Sequence, residues 1–313
     1  MIEMVPPKIS ICIPVYNGER FLLQAVESTL RQSYSDFEVI IIDNASTDST
    51  ARLVAEVVAG NSKIRLLRND RNIGLVANFN ACLKQAKGEY IKFLCADDLL
   101  MPTCLEKMAK VLDACPSVSL VAAGRLIVNE ESKTIGVQHY ARTEARVGGF
   151  EAINRCLFGS NYIGEPSAVM FRREASLRGF RKDLSHLMDM EMWFYLLEQG
   201  ELVGLPEPLC AIRRHAGQMT VQNIKSGALA EDNVRLFEEY GKKPYIQNSR
   251  LNNVARRVRM AYRIWISRKN LEPMRRKELL RQHSIPLVYY LAMPTIYGIL
   301  ILLSNARRLL RID

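Results

Sequence analysis

Carboxylate and amide side chains follow four short apolar runs between residues 9 and 98. Asp97 and Asp98 are the most informative, because adjacent carboxylates supply the hard oxygen ligands that Mg²⁺ and Mn²⁺ prefer. A divalent ion held there would neutralise the charge that builds on a departing nucleoside diphosphate. Tyr16 offers a flat face for a base, and Asp43 can accept a hydrogen bond from a base N–H group. Each of the four clusters has a physical use if the ligand is a nucleotide sugar.

These side chains meet if the apolar runs are strands of a parallel sheet, whose carboxyl ends share one edge. Up to residue 125, β-branched runs alternate with amphipathic stretches, the pattern of βαβ units and an α/β fold. The predicted strands are residues 9–14, 38–42, 64–67, 90–94 and 119–123, and the predicted helices are 20–31, 49–58, 75–86 and 103–115. Asp48 is predicted to cap the second helix, and Gly88 to follow the third as its C′ residue.

The second half of the sequence is less regular. It predicts a polar hairpin near residues 125–137, a helix near 150–158, a strand at 167–171 and a helix at 186–199. A loop containing Arg213, Arg214 and His215 follows.

Charge is distributed unevenly along the 313 residues. The net charge is +10, and from Arg250 onward there are 14 Lys or Arg against 3 acids. A nucleic-acid-binding protein would carry its basic residues on the core, which here is close to neutral, so we expect no nucleic-acid partner. A basic tail suits an anionic membrane surface instead. Seven cysteines without CxxC pairs and a start without a basic or apolar leader predict reduced thiols and no secretory signal.

The C-terminal residues 284–306 carry no charge, and residues 285–303 are long enough for about one bilayer crossing. Both flanks are basic, which conflicts with a single crossing, and Pro286 and Pro294 interrupt a helix. An in-plane hairpin that returns both ends to the cytoplasm accounts for these features best. A transmembrane span and a helix buried on the protein are the alternatives.

The sequence resembles the family-2 glycosyltransferases of the GT-A fold, the Rossmann-like fold of nucleotide-diphospho-sugar transferases. The matching segments are ICIPVYNGE at 11–19, IDNASTD at 42–48, NIG at 72–74 with Asn80, and GEYIKFLCADD at 88–98. The resemblance extends from residue 8 to about residue 220 and is of the bacterial cell-surface polysaccharide type. One departure is Cys95, which stands where the family's Asp-x-Asp motif has its first carboxylate.

The resemblance implies roles for individual residues. The implied nucleotide-sugar contacts are Pro14, Tyr16, Glu19, Asp43, Asn44, Asn72, Asn80, Ala96, Asp98 and Arg214. Asp97 and His215 are the implied ligands of Mg²⁺ or Mn²⁺. Asp189 is the implied catalytic base, with Glu191 as the second choice. Residues 164–167 resemble the loop on the acceptor side.

These features together predict three parts. Residues 1–225 form the catalytic domain, with a nucleotide-binding half (1–125) and an acceptor half (126–225). A basic helical region (226–283) and a hydrophobic membrane-associating segment (284–313) follow. The predicted activity is inverting transfer from a nucleotide sugar, with UDP as the expected nucleotide, to a polyprenyl-linked glycan at the cytoplasmic face of the inner membrane.

Three other functions compete with this one. A non-catalytic glycan- or partner-binding homologue is the main alternative, because Cys95 removes a carboxylate from the motif. A sugar nucleotidyltransferase is disfavoured, since residues 14–19 contain only one glycine where a triphosphate-binding loop is expected. A dinucleotide-dependent dehydrogenase would need a GxGxxG turn after the first strand, which the sequence lacks.

Overall fold

The computed structural model describes residues 6–269, 271–282 and 284–295. The chain divides into two compact units, Met1–Ala216 and Gly217–Asp313. The first unit contains all the predicted site residues. The predicted domain boundary at residue 225 falls within the first helix of the second unit.

Strands and helices alternate at the start of the first unit. The strands are β1 (Ile9–Val15), β2 (Phe37–Asp43), β3 (Ile64–Arg68) and β4 (Tyr90–Phe93). The helices are α1 (Leu22–Leu30), α2 (Thr50–Val58), α3 (Leu75–Gln85) and α4 (Cys104–Ala114). The four strands are parallel and lie in the order β3-β2-β1-β4. Every residue of β1 is buried, as expected for a strand covered on both faces.

The remaining elements extend this sheet. The strands are β5 (Leu99–Leu100), β6 (Val118–Val128), β7 (Thr134–Gln138), β8 (Ala145–Val147), β9 (Val169–Arg172) and β10 (Glu201–Arg213). The helices are α5 (Gly149–Phe158) and α6 (Met188–Leu197), with a 3₁₀ turn at Pro166–Ala168. The sheet order continues from β4 as β9-β6-β10-β5, and the predicted hairpin is formed by β6 and β7.

The sheet is mixed rather than wholly parallel. The sequence predicted β6 as a fifth strand of the parallel series, but β9 lies between β4 and β6 and is antiparallel to both. The position of β9 affects the site. The chain enters β9 from the same edge at which β4 ends, so the segment before β9 lies against the loop after β4.

Two local predictions are also corrected. The N-cap of α2 is Ser49, while the carboxylate of Asp48 accepts a hydrogen bond from Thr50 N at 3.0 Å. Gly88 lies two residues beyond the C-cap of α3, Ala86. Its N–H donates to Ser10 Oγ at 2.8 Å, and a Cβ there would lie 2.5 Å from Ser10 N. Gly88 therefore permits close approach to β1.

The second unit is helical. Its helices are α7 (Met219–Ser226), α8 (Ala228–Tyr240), α9 (Arg250–Ile266), α10 (Pro273–Gln282) and α11 (Leu287–Leu291). It has its own apolar core, which includes Val234, Met260, Ile264, Leu279 and Met293. Within the described ranges, no helix is both long and apolar enough to cross a membrane. Residues 296–303 of the predicted apolar segment lie outside those ranges, so its membrane association stays a prediction.

Candidate functional site

The loops after β1 and β2 are joined by reciprocal hydrogen bonds. Asn17 N donates to Ser46 Oγ at 2.9 Å, and Ser49 N donates to the carboxylate of Glu19 at 2.8 Å. Gly18 N donates to Thr50 Oγ1 at 2.8 Å. Glu19 is one of the residues implied to contact the nucleotide sugar. In the structure its carboxylate accepts a hydrogen bond from a backbone N–H at the start of α2. These bonds make the two loops a single wall of the site.

Tyr16 and Asp43 are brought together by strand register. Val15 is the partner of Asp43 in the parallel pairing and Pro14 that of Ile42, so Tyr16 emerges next to the end of β2. The Tyr16 side chain is 47% exposed and can offer its ring to a base. Asp43 is buried, accepts from Ser46 N at 2.9 Å and forms an ion pair with Arg68.

Asn44 organises the loop after β3. Its amide oxygen accepts from Asn69 Nδ2 at 2.9 Å and from Ile73 N at 3.0 Å, while its nitrogen donates to Asn72 Oδ1 at 2.9 Å. Asn44 is buried, whereas Asn72 is exposed. Asn72 is therefore the better placed of the two to meet a ligand, and Asn44 holds it.

Asn80 makes contacts of a different kind. Its Nδ2 donates to Phe180 O at 2.9 Å, and its Oδ1 accepts from Phe180 N at 2.7 Å. Both ends of the amide are occupied by the backbone of a residue 100 positions away. Asn80 thus joins α3 to the segment after β9, and its implied nucleotide-sugar contact stays a prediction.

Asp97 and His215, 118 residues apart in sequence, lie side by side. His215 Nε2 is 3.0 Å from Asp97 Oδ2, and both side chains are partly exposed. Ala96 is also partly exposed, in the turn that carries Asp97. The carboxylate and imidazole together offer one oxygen and one nitrogen ligand to a divalent ion.

Asp98 faces the interior instead. It is buried, its Oδ1 accepts from Arg213 N at 3.0 Å, and its Oδ2 accepts from Ser167 Oγ at 2.6 Å. Burial raises the pKa of Asp98 well above its usual range, and the nearby charge of Asp97 raises it further. Both carboxylate oxygens already have protein partners, so Asp98 connects the loop after β4 to β10.

The Cys95 thiol lies close to these carboxylates. One donor atom from each of Cys95, Asp97 and Asp98 fits within 4.8 Å of the others. Burial raises the pKa of the Cys95 thiol well above its usual range, followed by the charges of Asp98 and Asp97. Asp97 and His215, the implied ligands of Mg²⁺ or Mn²⁺, are both partly exposed, whereas Asp98 is buried.

The segment before β9 is fixed against this loop. Ser167 Oγ accepts from Cys95 N at 2.9 Å, and the Ser167 carbonyl accepts from buried Lys92. Lys92 also donates to Val169 O at 3.3 Å. Trp193 Nε1, on α6, donates to Gly164 O at 3.1 Å. The predicted acceptor-side loop therefore has a defined conformation beside the loop that carries Asp97.

The implied base and its second choice have opposite environments. Asp189 is partly exposed in the first turn of α6. Its charge contributes to the raised pKa of the Cys95 thiol, so it lies near the loop after β4. Glu191 is fully buried and forms two hydrogen bonds with Arg178, at 2.9 and 2.6 Å. The environment favours Asp189 as the base and gives Glu191 a structural role.

The motif at residues 213–215 gives no separate role to Arg213, yet that side chain joins several parts of the site. It is buried, and its Nε donates to Asp97 O at 2.9 Å. Its other nitrogens donate to Ser132 Oγ and Gln24 Oε1, both at 2.9 Å. Arg213 stands at the end of the apolar strand β10, and this position could have predicted that its side chain is buried. Arg214, next to it, donates to Glu165 Oε1 at 2.7 Å.

Residues 10–180 match glycosyl transferase family 2. The chain belongs to this family. The match covers β1 to β9, including the loops that carry the donor-side residues and Asp97. The mixed sheet is that of the GT-A fold, as the sequence resemblance predicted.

A relative agrees with this assignment, and two solved structures share the fold. Over 199 residues this family 2 member is 40% identical to the putative glycosyltransferase EpsE of Bacillus subtilis, which covers 62% of this chain and 68% of that protein. S. aureus TarS in complex with UDP-GlcNAc superposes with a TM-score of 0.59 at 15% identity, over 93% and 91% of the two chains. The mannosyltransferase PcManGT of Pyrobaculum calidifontis, in complex with GDP-Man and Mn²⁺, gives 0.57 at 17% identity, over 99% and 89%. The two structures support the fold.

Proposed function

We propose that this family 2 glycosyltransferase catalyses inverting transfer of a sugar from a UDP-sugar to a polyprenyl-linked glycan. The observation that carries the proposal is the pairing of Asp97 with His215 at 3.0 Å beside the walls formed by the loops after β1 and β2. The nucleotide lies against Tyr16 and the end of β2 in this proposal, and its diphosphate lies towards Asp97. The UDP-GlcNAc complex of TarS supports uracil as the base.

Asp97 and His215 would hold the divalent ion, and the Mn²⁺ in the PcManGT complex supports its use. When bound, such an ion stabilises the negative charge of the leaving diphosphate. Arg213 fixes the backbone of Asp97 through its Nε, at 2.9 Å, so the carboxylate is oriented before the donor arrives. Preorganised charge of this kind lowers the barrier without costly rearrangement during the reaction.

Asp189 acts as the general base. Its carboxylate removes the proton from the acceptor hydroxyl while that oxygen attacks the anomeric carbon from the face opposite the diphosphate. The new C–O bond forms as the bond to the diphosphate breaks, so the anomeric configuration inverts. Trp193 joins α6 to the loop at Gly164 through its hydrogen bond, and this contact fixes the position of Asp189 relative to the acceptor-side loop.

A membrane-associated acceptor is supported by the second unit. Leu287, Val288 and Leu291 on α11 are 61%, 64% and 64% exposed, and Arg281 shortly before them is exposed too. Apolar side chains beside basic ones suit an anionic bilayer surface. We propose peripheral or monotopic attachment to the cytoplasmic face of the inner membrane, where lipid-linked glycans would be within reach.

A donor screen tests the function. Purified protein is incubated with UDP-, GDP- and dTDP-sugars in Mn²⁺, Mg²⁺ or EDTA, and release of nucleoside diphosphate is measured. We expect release from a UDP-sugar that EDTA stops and that Asp97→Asn reduces by about a hundredfold or more. Asp36→Asn, at the opposite end of β2, is the matched control and should retain activity. No release from any donor, with glycan binding retained, would favour the non-catalytic alternative.

A further inference from the structure

Glu165 lies between two arginines. Its Oε2 is 2.8 Å from Arg125 Nε, and its Oε1 accepts from Arg214 Nη2 at 2.7 Å. Burial acts to raise the pKa of Glu165, but Arg125 and Arg214 outweigh burial and the net pKa is lowered. Glu165 is therefore ionised, and the three groups together carry one positive charge.

The two arginines differ in freedom. Arg125 lies on β6 with only 5% of its side chain exposed, and a Cβ at Gly164 would lie 2.9 Å from its Nη1. Because that Nη1 has no hydrogen-bond partner, Arg125 depends on the charge of Glu165 to offset the cost of its burial. The buried guanidinium of Arg125 thus fixes the position of the Glu165 carboxylate.

Arg214 is held more loosely. Its side chain is 36% exposed, and the contact with Glu165 uses only Nη2. Its backbone N–H donates to Val128 O at 2.8 Å, which fixes where the side chain starts. His215, the next residue, contacts Asp97. A guanidinium binds phosphate through two nitrogens, and two nitrogens of Arg214 are not used by Glu165.

We propose that Glu165 is a positioning residue for the donor: anchored by Arg125, it orients Arg214 so that its remaining nitrogens meet the diphosphate held beside Asp97. This inference rests on the proposed function. It predicts that Glu165 contributes to nucleotide affinity only through Arg214. A carboxylate near a diphosphate would otherwise repel it, so the sign of the effect distinguishes positioning from repulsion.

A double-mutant cycle tests the inference. The Kd of UDP in Mn²⁺ is measured by calorimetry for the wild type, Glu165→Gln, Arg214→Gln and the double variant. Loss of a charge-assisted contact should weaken binding about tenfold or more in Arg214→Gln. Glu165→Gln should weaken it about three- to tenfold, since the contact is misaligned rather than removed. The double variant should bind as Arg214→Gln does.

Glu201→Gln is the matched control, because Glu201 contacts Arg146 Nη2 at 2.5 Å near the opposite end of β10. It should leave the UDP Kd unchanged. If Glu165→Gln fails to fold, Glu165→Asp keeps the charge for Arg125 but shortens the reach to Arg214, and the same weakening is expected.

If the wild type binds UDP, three outcomes overturn the inference. Glu165→Gln binds UDP with unchanged Kd, it binds UDP more tightly, or it weakens UDP binding by the same factor whether residue 214 is Arg or Gln. If the wild type binds neither UDP nor GDP, the proposed function fails and this inference with it.

Discussion

Separate replacement of Asp189 and Glu191 distinguishes a base from a structural carboxylate two residues away on the same helix. Asp189→Asn keeps the volume and the oxygen that accepts from Met190 N at 2.6 Å, but it removes the ability to take a proton. Glu191→Gln removes the charge of a fully buried carboxylate that pairs with the partly exposed Arg178. The first change should affect catalysis, and the second should affect stability.

The magnitudes follow from the two environments. Breaking a buried ion pair costs about 3–5 kcal/mol, and the lower end applies because Arg178 is 33% exposed and can regain water. For a unit of this size about 3 kcal/mol corresponds to a fall in Tm of roughly 6–12 °C. Asp189→Asn, at a partly exposed position, should change Tm by about 2 °C or less. Its kcat should fall about a hundredfold or more, as for other general bases.

Thermal melts and steady-state transfer assays on both variants measure these quantities. Turnover is compared below the melting range of the less stable protein, and the Kd of UDP is measured in parallel. Asp189→Asn should keep the wild-type Kd. The assignment is refuted if folded Glu191→Gln loses more kcat than Asp189→Asn does.

Three other outcomes are expected. Asn80→Ala should cost roughly 2–4 kcal/mol in a denaturant titration, because it leaves the N–H and C=O of Phe180 without partners, and a weaker UDP Kd with unchanged stability would contradict the structural role. Cys95→Asp should lower Tm by about 5 °C or more without raising turnover, since it adds a third carboxylate beside Asp97 and the buried Asp98, and retained Tm would reveal a pocket for that charge. Serine at Leu287, Val288 and Leu291 together should reduce sedimentation with anionic vesicles about tenfold or more, whereas unchanged sedimentation would assign binding to another surface.

The sequence predicts best what is local. The β-branched runs identify β1 to β4, and their register brings Tyr16 beside Asp43 as a parallel sheet requires. The insertion of β9 between β4 and β6 could not be predicted from spacing, because antiparallel pairing between distant segments leaves no periodic signal. For the same reason the sequence motif identified Asn80 but could not predict its hydrogen bonds to Phe180.

The candidate site also contains features that the sequence predicted and features that it could not. The proximity of Asp97 and His215 was implied by the family resemblance, and the structure brings them together. The inward orientation of Asp98 was not predictable, since adjacent aspartates look alike in a sequence and only the hydrogen bonds from Ser167 and Arg213 separate them. The burial of Glu191 was not predictable either. It differs from Asp189 because it pairs with Arg178, which lies outside the motif.

The contacts of Ser167 limit how the acceptor loop can be exchanged between family members. A graft of residues 160–168 that places a residue without a hydroxyl at position 167 would remove the group that bridges Cys95 N and Asp98. A graft that changes the backbone path would also move the carbonyl that Lys92 contacts. Such a graft would disturb the loop after β4 as well as acceptor choice. Domain-shuffling designs should therefore transfer residues 92–98 with the loop as one cassette, and natural recombination within this fold faces the same restriction.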